Sequence, residues 1–269
     1  MGFAHIAIEK NDGVATVWLD RPAKHNALSA DMWTDIPLAM RQLGEDPAVR
    51  VIVVAGRGPS FTVGIDLEML ASLAPEGVSE ADRRRQILRK VKELQGTISA
   101  LADSPQPVIA AIHGYCLGAG LDLITACDIR LAAAGAVFGV RETRMGLVAD
   151  VGAMQRLPTI ISPGQVAELV YTGADIDADR AAEIGLVNRV FPDTEALHKA
   201  ATAMAADIAA NSPLVVQGAK AVLRAGEGRS VQDGLDYVAV WNSAFLLSDD
   251  LTEAIAAYIE KRPPDFKGH

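Results

Sequence analysis

Asp122, Glu142 and Asp150 crowd one short stretch of the chain, and carboxylates so placed can move protons. Asp122 sits in Gly-Ala-Gly-Leu-Asp-Leu-Ile and Asp150 in Leu-Val-Ala-Asp-Val-Gly, both plainly apolar; Glu142, in Val-Arg-Glu-Thr, is the more ordinary of the three. Burying a carboxylate among Leu, Ile and Val is costly unless its charge is used or compensated. Burial and like-charge proximity also raise a carboxyl pKa toward the range useful for general acid–base work. If the fold gathers the three, they form an acid/base site. The alternative is that each caps a helix or pairs with a neighbouring Arg, such as Arg141 or Arg144.

Two small-residue turns could complete such a site. His113-Gly-Tyr-Cys-Leu-Gly-Ala-Gly-Leu-Asp122 joins an apolar β-branched run to a helix-like segment, and Phe61-Thr-Val-Gly-Ile-Asp66 is a second turn of the same kind. Glycines let backbone approach a ligand closely, and a helix start leaves N–H groups free. One amide from each turn, aimed at one carbonyl oxygen, would make an oxyanion hole. The spacing is not that of a dinucleotide-binding fingerprint.

The elements that position these residues follow from periodicity and punctuation. Ile6-Ala-Ile8 and Val14 to Leu19 flank Asn11-Asp-Gly13, a hairpin signal. A helix is predicted from an N-cap at Ser29 to about Leu43, buried strands at Val49–Ala55 and Val108–Ile112, and a long helix over Glu80–Leu101. A glycine-rich turn over 114–120, a short helix to about Ala126, and strands at Asp128–Leu131 and Ala136–Val140 come next. Beyond Ser162 the chain reads as helical, with one strand at Leu186–Val190 and final helices over about 213–225, 231–247 and 249–261. This order predicts an α/β core over 1–200 and an α-helical extension over 201–269 used for self-association.

Composition narrows the function classes. The 269 residues are 50% hydrophobic and 22% charged, as in soluble globular domains. A net charge of −9 argues against a nucleic-acid or membrane partner. No apolar run reaches membrane-span length, no secretory leader is visible, and the C-terminus is not Ser-Lys-Leu, so a cytoplasmic protein is expected. Cys116 and Cys127 read as buried small hydrophobes. His5, His25, His113, His198 and His269 form no ligand-spaced cluster, so no metal is expected, and His113 is expected to pack beside its turn. Arg83-Arg84-Arg85 with Arg89 and Lys90 reads as a solvated helix face, with a subunit or phosphate contact as the alternatives, and Trp18, Trp33 and Trp241 as core or interface anchors.

Asp20-Arg-Pro-Ala-Lys-His-Asn-Ala-Leu-Ser29, Ser60-Phe-Thr-Val-Gly-Ile-Asp-Leu67 and Ala111 to Asp122 together resemble the crotonase (enoyl-CoA hydratase/isomerase) superfamily. Gln155-Arg-Leu157, Thr172-Gly173 and Gly185-Leu-Val-Asn188 extend the resemblance over essentially the whole chain, in order. It implies a crotonase-like spiral core of stacked ββα turns with a C-terminal α-helical extension, assembled as a homotrimer or a dimer of trimers. The implied substrate is an acyl-CoA thioester, with coenzyme A part of the substrate and no separate cofactor. Carried over by position, the oxyanion amides belong to Ile65 and Ala119, the latter a Gly in most relatives. Lys24, Ala27, Leu28, Val63, Gly64, Asp66, Leu67, Gly118 and Gly120 become substrate-binding positions, with Lys24 to Leu28 near the coenzyme A moiety.

Asp122 and Glu142 match the two glutamate positions of enoyl-CoA hydratases, which add water to a 2-enoyl-CoA. The first is one methylene shorter here, and Ala149-Asp150 replaces the usual Pro-Gly pair. A third carboxylate at Asp150, followed by Gln155-Arg-Leu157, resembles the Δ3,5-Δ2,4-dienoyl-CoA isomerase branch. Gly64-Ile-Asp-Leu67, Thr125-Ala-Cys-Asp-Ile-Arg130 and Leu235-Asp-Tyr-Val-Ala-Val-Trp-Asn242 point the same way. That reaction removes a C2 proton and returns one at C6, so two separated acids suit it. On that resemblance Glu142 serves C2 and Asp150 serves C6, or the reverse, with Asp122 auxiliary. The alternative is enoyl-CoA hydration. A non-catalytic acyl-CoA- or RNA-binding role fits poorly with intact carboxylates and an acidic chain.

Overall fold

The computed structural model describes residues 2–71 and 79–269. Strands β1 (Ile6–Asn11) and β2 (Val14–Leu19) form an antiparallel hairpin whose two turn residues, Asp12 and Gly13, both take positive φ, as a type I′ turn requires. Helix α1 (Ala30–Gly44) starts at Ser29, whose side chain accepts the Met32 N–H. Pro37 lies inside it and has no N–H for the carbonyl four residues back, Trp33 O. That oxygen instead accepts Thr97 Oγ1 at 2.7 Å from helix α3. Sequence order continues with β3 (Val51–Gly56), α2 (Leu67–Ala71) and α3 (Glu80–Ala102). A missing backbone donor thus becomes the tie that locks α1 to α3.

β4 (Val108–Ile112), β5 (Tyr115–Leu117), α4 (Ala119–Thr125), β6 (Ile129–Ala133) and β7 (Val137–Gly139) follow. Then come α5 (Ala153–Ile160), α6 (Pro163–Thr172), β8 (Ile176–Asp177), α7 (Ala178–Glu183) and β9 (Arg189–Phe191). The chain ends with α8 (Thr194–Ala209), α9 (Pro213–Gly226), α10 (Val231–Phe245) and α11 (Asp249–Glu260). The main sheet runs β1-β2-β3-β4-β6-β9 and is parallel from β2 onward. A second sheet, β5-β7-β8, stands apart from it. Both faces of β3 and β4 are buried, which is why these strands are continuous apolar runs. One face packs under Leu197, Ala201, Ala205 and Ala209 of α8; the other faces the larger core that includes Trp33, Leu94 and Ile98.

The α/β class is as expected from the sequence, and three details differ. Segment 114–120, expected as turn throughout, contains β5, because Tyr115, Cys116 and Leu117 pair with β7. Leu186 and Val187 do not begin a strand; their N–H groups both bond Ala181 O and close the end of α7, so β9 starts at Arg189. Strand β8 has only two residues, too few for a period to show. The expected division at residue 200 falls within α8, a single continuous helix. The C-terminal helices are anchored to the core through polar groups. Arg50 donates to Ala209 O and Phe266 O, and buried Lys220 donates to Gln106 O at 2.9 Å and Asp128 at 2.7 Å. Among the described residues no helix is long and apolar enough to cross a membrane.

Candidate active site

Strand pairing alone brings two distant segments together. β5 and β7 run parallel with Leu117 opposite Gly139, so both strands end at the same edge. The chain leaving β5 enters the Gly118 turn and α4; the chain leaving β7 enters a 3-10 turn that starts at Glu142. Gly118 N–H donates to Gly139 O at 2.9 Å and fixes their separation. Gly118 has φ +53, and a Cβ there would lie 3.3 Å from Glu142 Oε1, so glycine at 118 gives that carboxylate room against the turn.

A third segment, 60–66, is stapled to the other two. Buried Asn26, itself at φ +54, accepts the Arg21 N–H and donates to Arg57 O, Ser60 O and Phe61 O. His113 Nε2 contacts Gly58 O at 2.8 Å and its carbonyl accepts the Phe61 N–H, so His113 does pack beside its turn. Leu28 pairs with Ile65 through Gly64 O and Asp66 N–H. In that parallel pattern the Ile65 N–H points away from Leu28. The Ala119 N–H is the first of α4 and has no carbonyl one turn back. Gly64, at φ +90, presses on the second turn: a Cβ there would lie 2.6 Å from Leu117 O and 3.2 Å from Ala119 N. Among the described residues neither amide has a backbone acceptor, and the two turns that carry them are in close contact.

Ile65, Ala119, Glu142 and Asp150 line one cleft of about 100 Å³. Its walls are apolar, from Trp33, Leu70, Ile87, Val91 and Leu94, with Leu147 and Val151 beside Asp150. Glu142 Oε2 is buried and has no hydrogen-bond partner among the described residues. Burial, and then the Asp150 charge, raise the Glu142 pKa; burial also raises that of Asp150. The enoyl-CoA hydratase/isomerase family matches residues 9–269. The chain belongs to that family.

Relatives agree in their different ways. "Delta(3,5)-Delta(2,4)-dienoyl-CoA isomerase, peroxisomal" of Arabidopsis thaliana is 45% identical over 92% of this chain and 90% of its own. A mitochondrial protein of the same name from Dictyostelium discoideum is 37% identical over 98% of this chain and 92% of its own. The crystal structure of an enoyl-CoA hydratase from Bacillus anthracis superposes with a TM-score of 0.89 at 33% identity, covering 98% of this chain and all of that one. The crotonase-like core read from the sequence is therefore the fold.

The remaining carboxylate, Asp122, does not share the cleft. Asp122 is fully buried and lies outside the cleft lining. Its Oδ1 accepts the Ala153 N–H at 2.5 Å, and Oδ2 has no partner among the described residues. Burial pushes its pKa up to about 7, with the Glu142 and Asp150 charges adding to the rise and the Ala153 N–H and Arg156 opposing it. A carboxyl that holds its proton to about pH 7 when folded, against about 4 when unfolded, costs stability as pH rises through that window. Asp122→Asn keeps the acceptor and removes the charge. Its denaturant midpoint should exceed wild type at pH 8, by at most about 4 kcal/mol of stability, and converge with it near pH 4. Equal stability of the two at pH 8 would contradict this electrostatic account.

The other expected site positions divide. Gly64, Gly118 and Gly120 shape the turns; Gly120 packs on Thr62 Cγ2, where a Cβ would lie 2.6 Å away. Leu28 and Ala27 are buried in the stapled loop, and Val63 N–H is bonded to His25 O. Asp66 is engaged internally, its Oδ2 on Arg21 Nη1 at 2.5 Å and its Oδ1 on the Glu68 N–H. Lys24 and Leu67 are exposed. Sequence reasoning missed the apolar cleft wall on α3. It also read Lys90 as part of a solvated face, whereas Lys90 lines the cleft. Ile87, Val91 and Leu94 recur at helical spacing, the signal that could have found that wall. Trp33, expected in the core, is buried and also lines the cleft.

Proposed function

We propose that this chain is an isomerase that converts 3,5-dienoyl-CoA thioesters to 2,4-dienoyl-CoA. The observation that carries this reading is the presence of two separate carboxylates, Glu142 and Asp150, in one apolar cleft with the Ile65 and Ala119 amides. The thioester oxygen accepts both amides. Glu142 removes a C2 proton, giving a dienolate whose charge spreads from that oxygen through C2, C4 and C6. Asp150 delivers a proton to C6, and the double bonds move into conjugation with the carbonyl. Coenzyme A enters and leaves as part of the substrate, its pantetheine beside the Lys24 to Leu28 loop. No other cofactor is required by this chemistry.

Hydration of a 2-enoyl-CoA is the second reading, supported by the likeness to the B. anthracis hydratase. It needs a pair of carboxylates on one water. Asp122, buried outside the cleft and bonded to Ala153 N–H, is badly placed to share a water with Glu142. The exposed apolar side chains Val231, Leu235, Val240, Leu247, Ile255 and Tyr258 on and between α10 and α11 support self-association, as trimers or multiples of them.

The deciding assay supplies a 3,5-dienoyl-CoA and follows the ultraviolet absorbance of the 2,4-diene. Crotonyl-CoA hydration is measured in parallel. Isomerisation should be the faster reaction, and crotonyl-CoA should compete for the same site. Rapid hydration with negligible diene formation would overturn the assignment and make hydration the activity.

A further inference from the structure

Asp150 is held by its backbone, and the group that holds it comes from α3. Among the described residues no other residue's side chain is hydrogen-bonded to its carboxylate, although the group lines the cleft. Its carbonyl oxygen accepts Gln95 Nε2 at 2.7 Å. One helical turn further along the same face, Ser99 Oγ accepts Arg156 Nη2 at 3.0 Å, from the first turn of α5. Arg156 in turn folds over Gly152, where a Cβ would lie 1.9 Å from Nη1 and where φ is +137. Gln95 and Ser99 therefore clasp the loop at Asp150 and just beyond it. α3 itself is fixed by Thr97 on Trp33 O and by buried Leu94, Ile98 and Leu101.

We propose that Gln95 is a positioning residue for Asp150, assisted by the Ser99–Arg156 contact, and that together they set the place from which the distal proton is delivered. The inference rests on the dienoyl isomerase reading above. The loop between Gly146 and Gly152, both at positive φ, is seated by buried Ala149 and Val151, while Asp150 between them is exposed. The Gln95 hydrogen bond to the Asp150 carbonyl ties that exposed position directly to α3. Proton transfer demands hydrogen-bond reach between acid and carbon, so a shift of about 1 Å is enough to matter by as much as about 10²-fold.

The test separates positioning from general support. Gln95→Met preserves length and removes the donor. In D2O, the wild-type enzyme forms the dienolate at C2 and passes it on to product. When the C6 acid is misplaced, the dienolate waits long enough for the Glu142 carboxyl to exchange its proton with D2O, and return to substrate then places deuterium at C2. Gln95→Met should lower kcat for diene formation about tenfold with KM little changed, while the ratio of C2-deuterated substrate to product rises. Gln95→Lys, which restores a donor, should recover most of the loss. Ser99→Ala should shift the ratio in the same direction by a smaller amount, and reads the clasp independently if Gln95→Met does not fold. Unchanged kcat and ratio in both Gln95→Met and Ser99→Ala, or C2 exchange falling in step with turnover, overturns the positioning role. A wild-type protein that forms no 2,4-diene at all defeats the isomerase reading instead, so the two failures are distinct.

Discussion

Asp150→Asn should cost about 10²–10⁴-fold in diene isomerisation while coenzyme A thioester affinity stays near that of the wild type, the range general acid–base groups supply. The argument starts from how little Asp150 does structurally. Among the described residues no other side chain is bonded to its carboxylate, and its backbone carbonyl carries the contact with Gln95. Asn is nearly isosteric, so the loop and the cleft persist. What disappears is the titrating group. Apolar walls raise the Asp150 pKa, which keeps the acid form available at higher pH than for an exposed aspartate. An amide cannot replace that proton. Turnover measured by diene absorbance, with affinity measured by competition with an unreactive acyl-CoA, tests this directly. Near-normal turnover in Asp150→Asn would remove the residue from the reaction.

Gly64→Ala should lower kcat by about 10²–10³-fold, the usual loss when one oxyanion donor is displaced. Gly64 holds φ +90, and its hydrogen faces Leu117 O and the Ala119 amide across the two turns. A methyl group at 2.6 Å from Leu117 O cannot be accommodated without movement of one turn. The backbone conformation is itself unfavourable for alanine, by about 1–3 kcal/mol. Ile65 follows directly, so its N–H rotates or retreats from the thioester oxygen. A ligand pair isolates the effect. A thioester product and a thioether analogue, which has no carbonyl oxygen, share every other contact. Gly64→Ala should weaken the thioester selectively; equal weakening of both ligands would show a blocked cleft and no loss of oxyanion binding.

Much of this was legible in the chain. The Asn11-Asp-Gly13 hairpin, the N-cap at Ser29 and the buried strands at β3 and β4 are local signals, and local chemistry decides them. The two glycine turns announced backbone amides because a φ near +90 at Gly64 or +53 at Gly118 is open to few other residues. The burial of the acids was read less well. Asp150, in the more apolar sequence, keeps contact with solvent at the cleft, while the ordinary-looking Glu142 has a buried oxygen with no partner among the described residues. Neighbours in sequence do not report neighbours in space: Glu142 is shielded by the Gly118 turn that β5–β7 pairing delivers. The α3 wall was missed because the Arg83-to-Lys90 cluster dominates its sequence. Strand β8 and the Gln95 contact left no local trace, being set by segments 30 to 60 residues apart.

The parallel order of β2, β3, β4, β6 and β9 has a kinetic corollary. Each pairing joins segments separated by a crossover, and such long loops must close before their contacts repay the lost chain entropy. The Ile65 amide follows β3, the Ala119 amide follows β5, and Glu142 follows β7. No single hairpin or helix contains even two of these groups. Their meeting is thus among the least local events in the folding of the chain, and catalytic competence should return in step with the slowest spectroscopic phase of refolding. Helical signal, governed by local segments such as α3 and α8, should recover ahead of it.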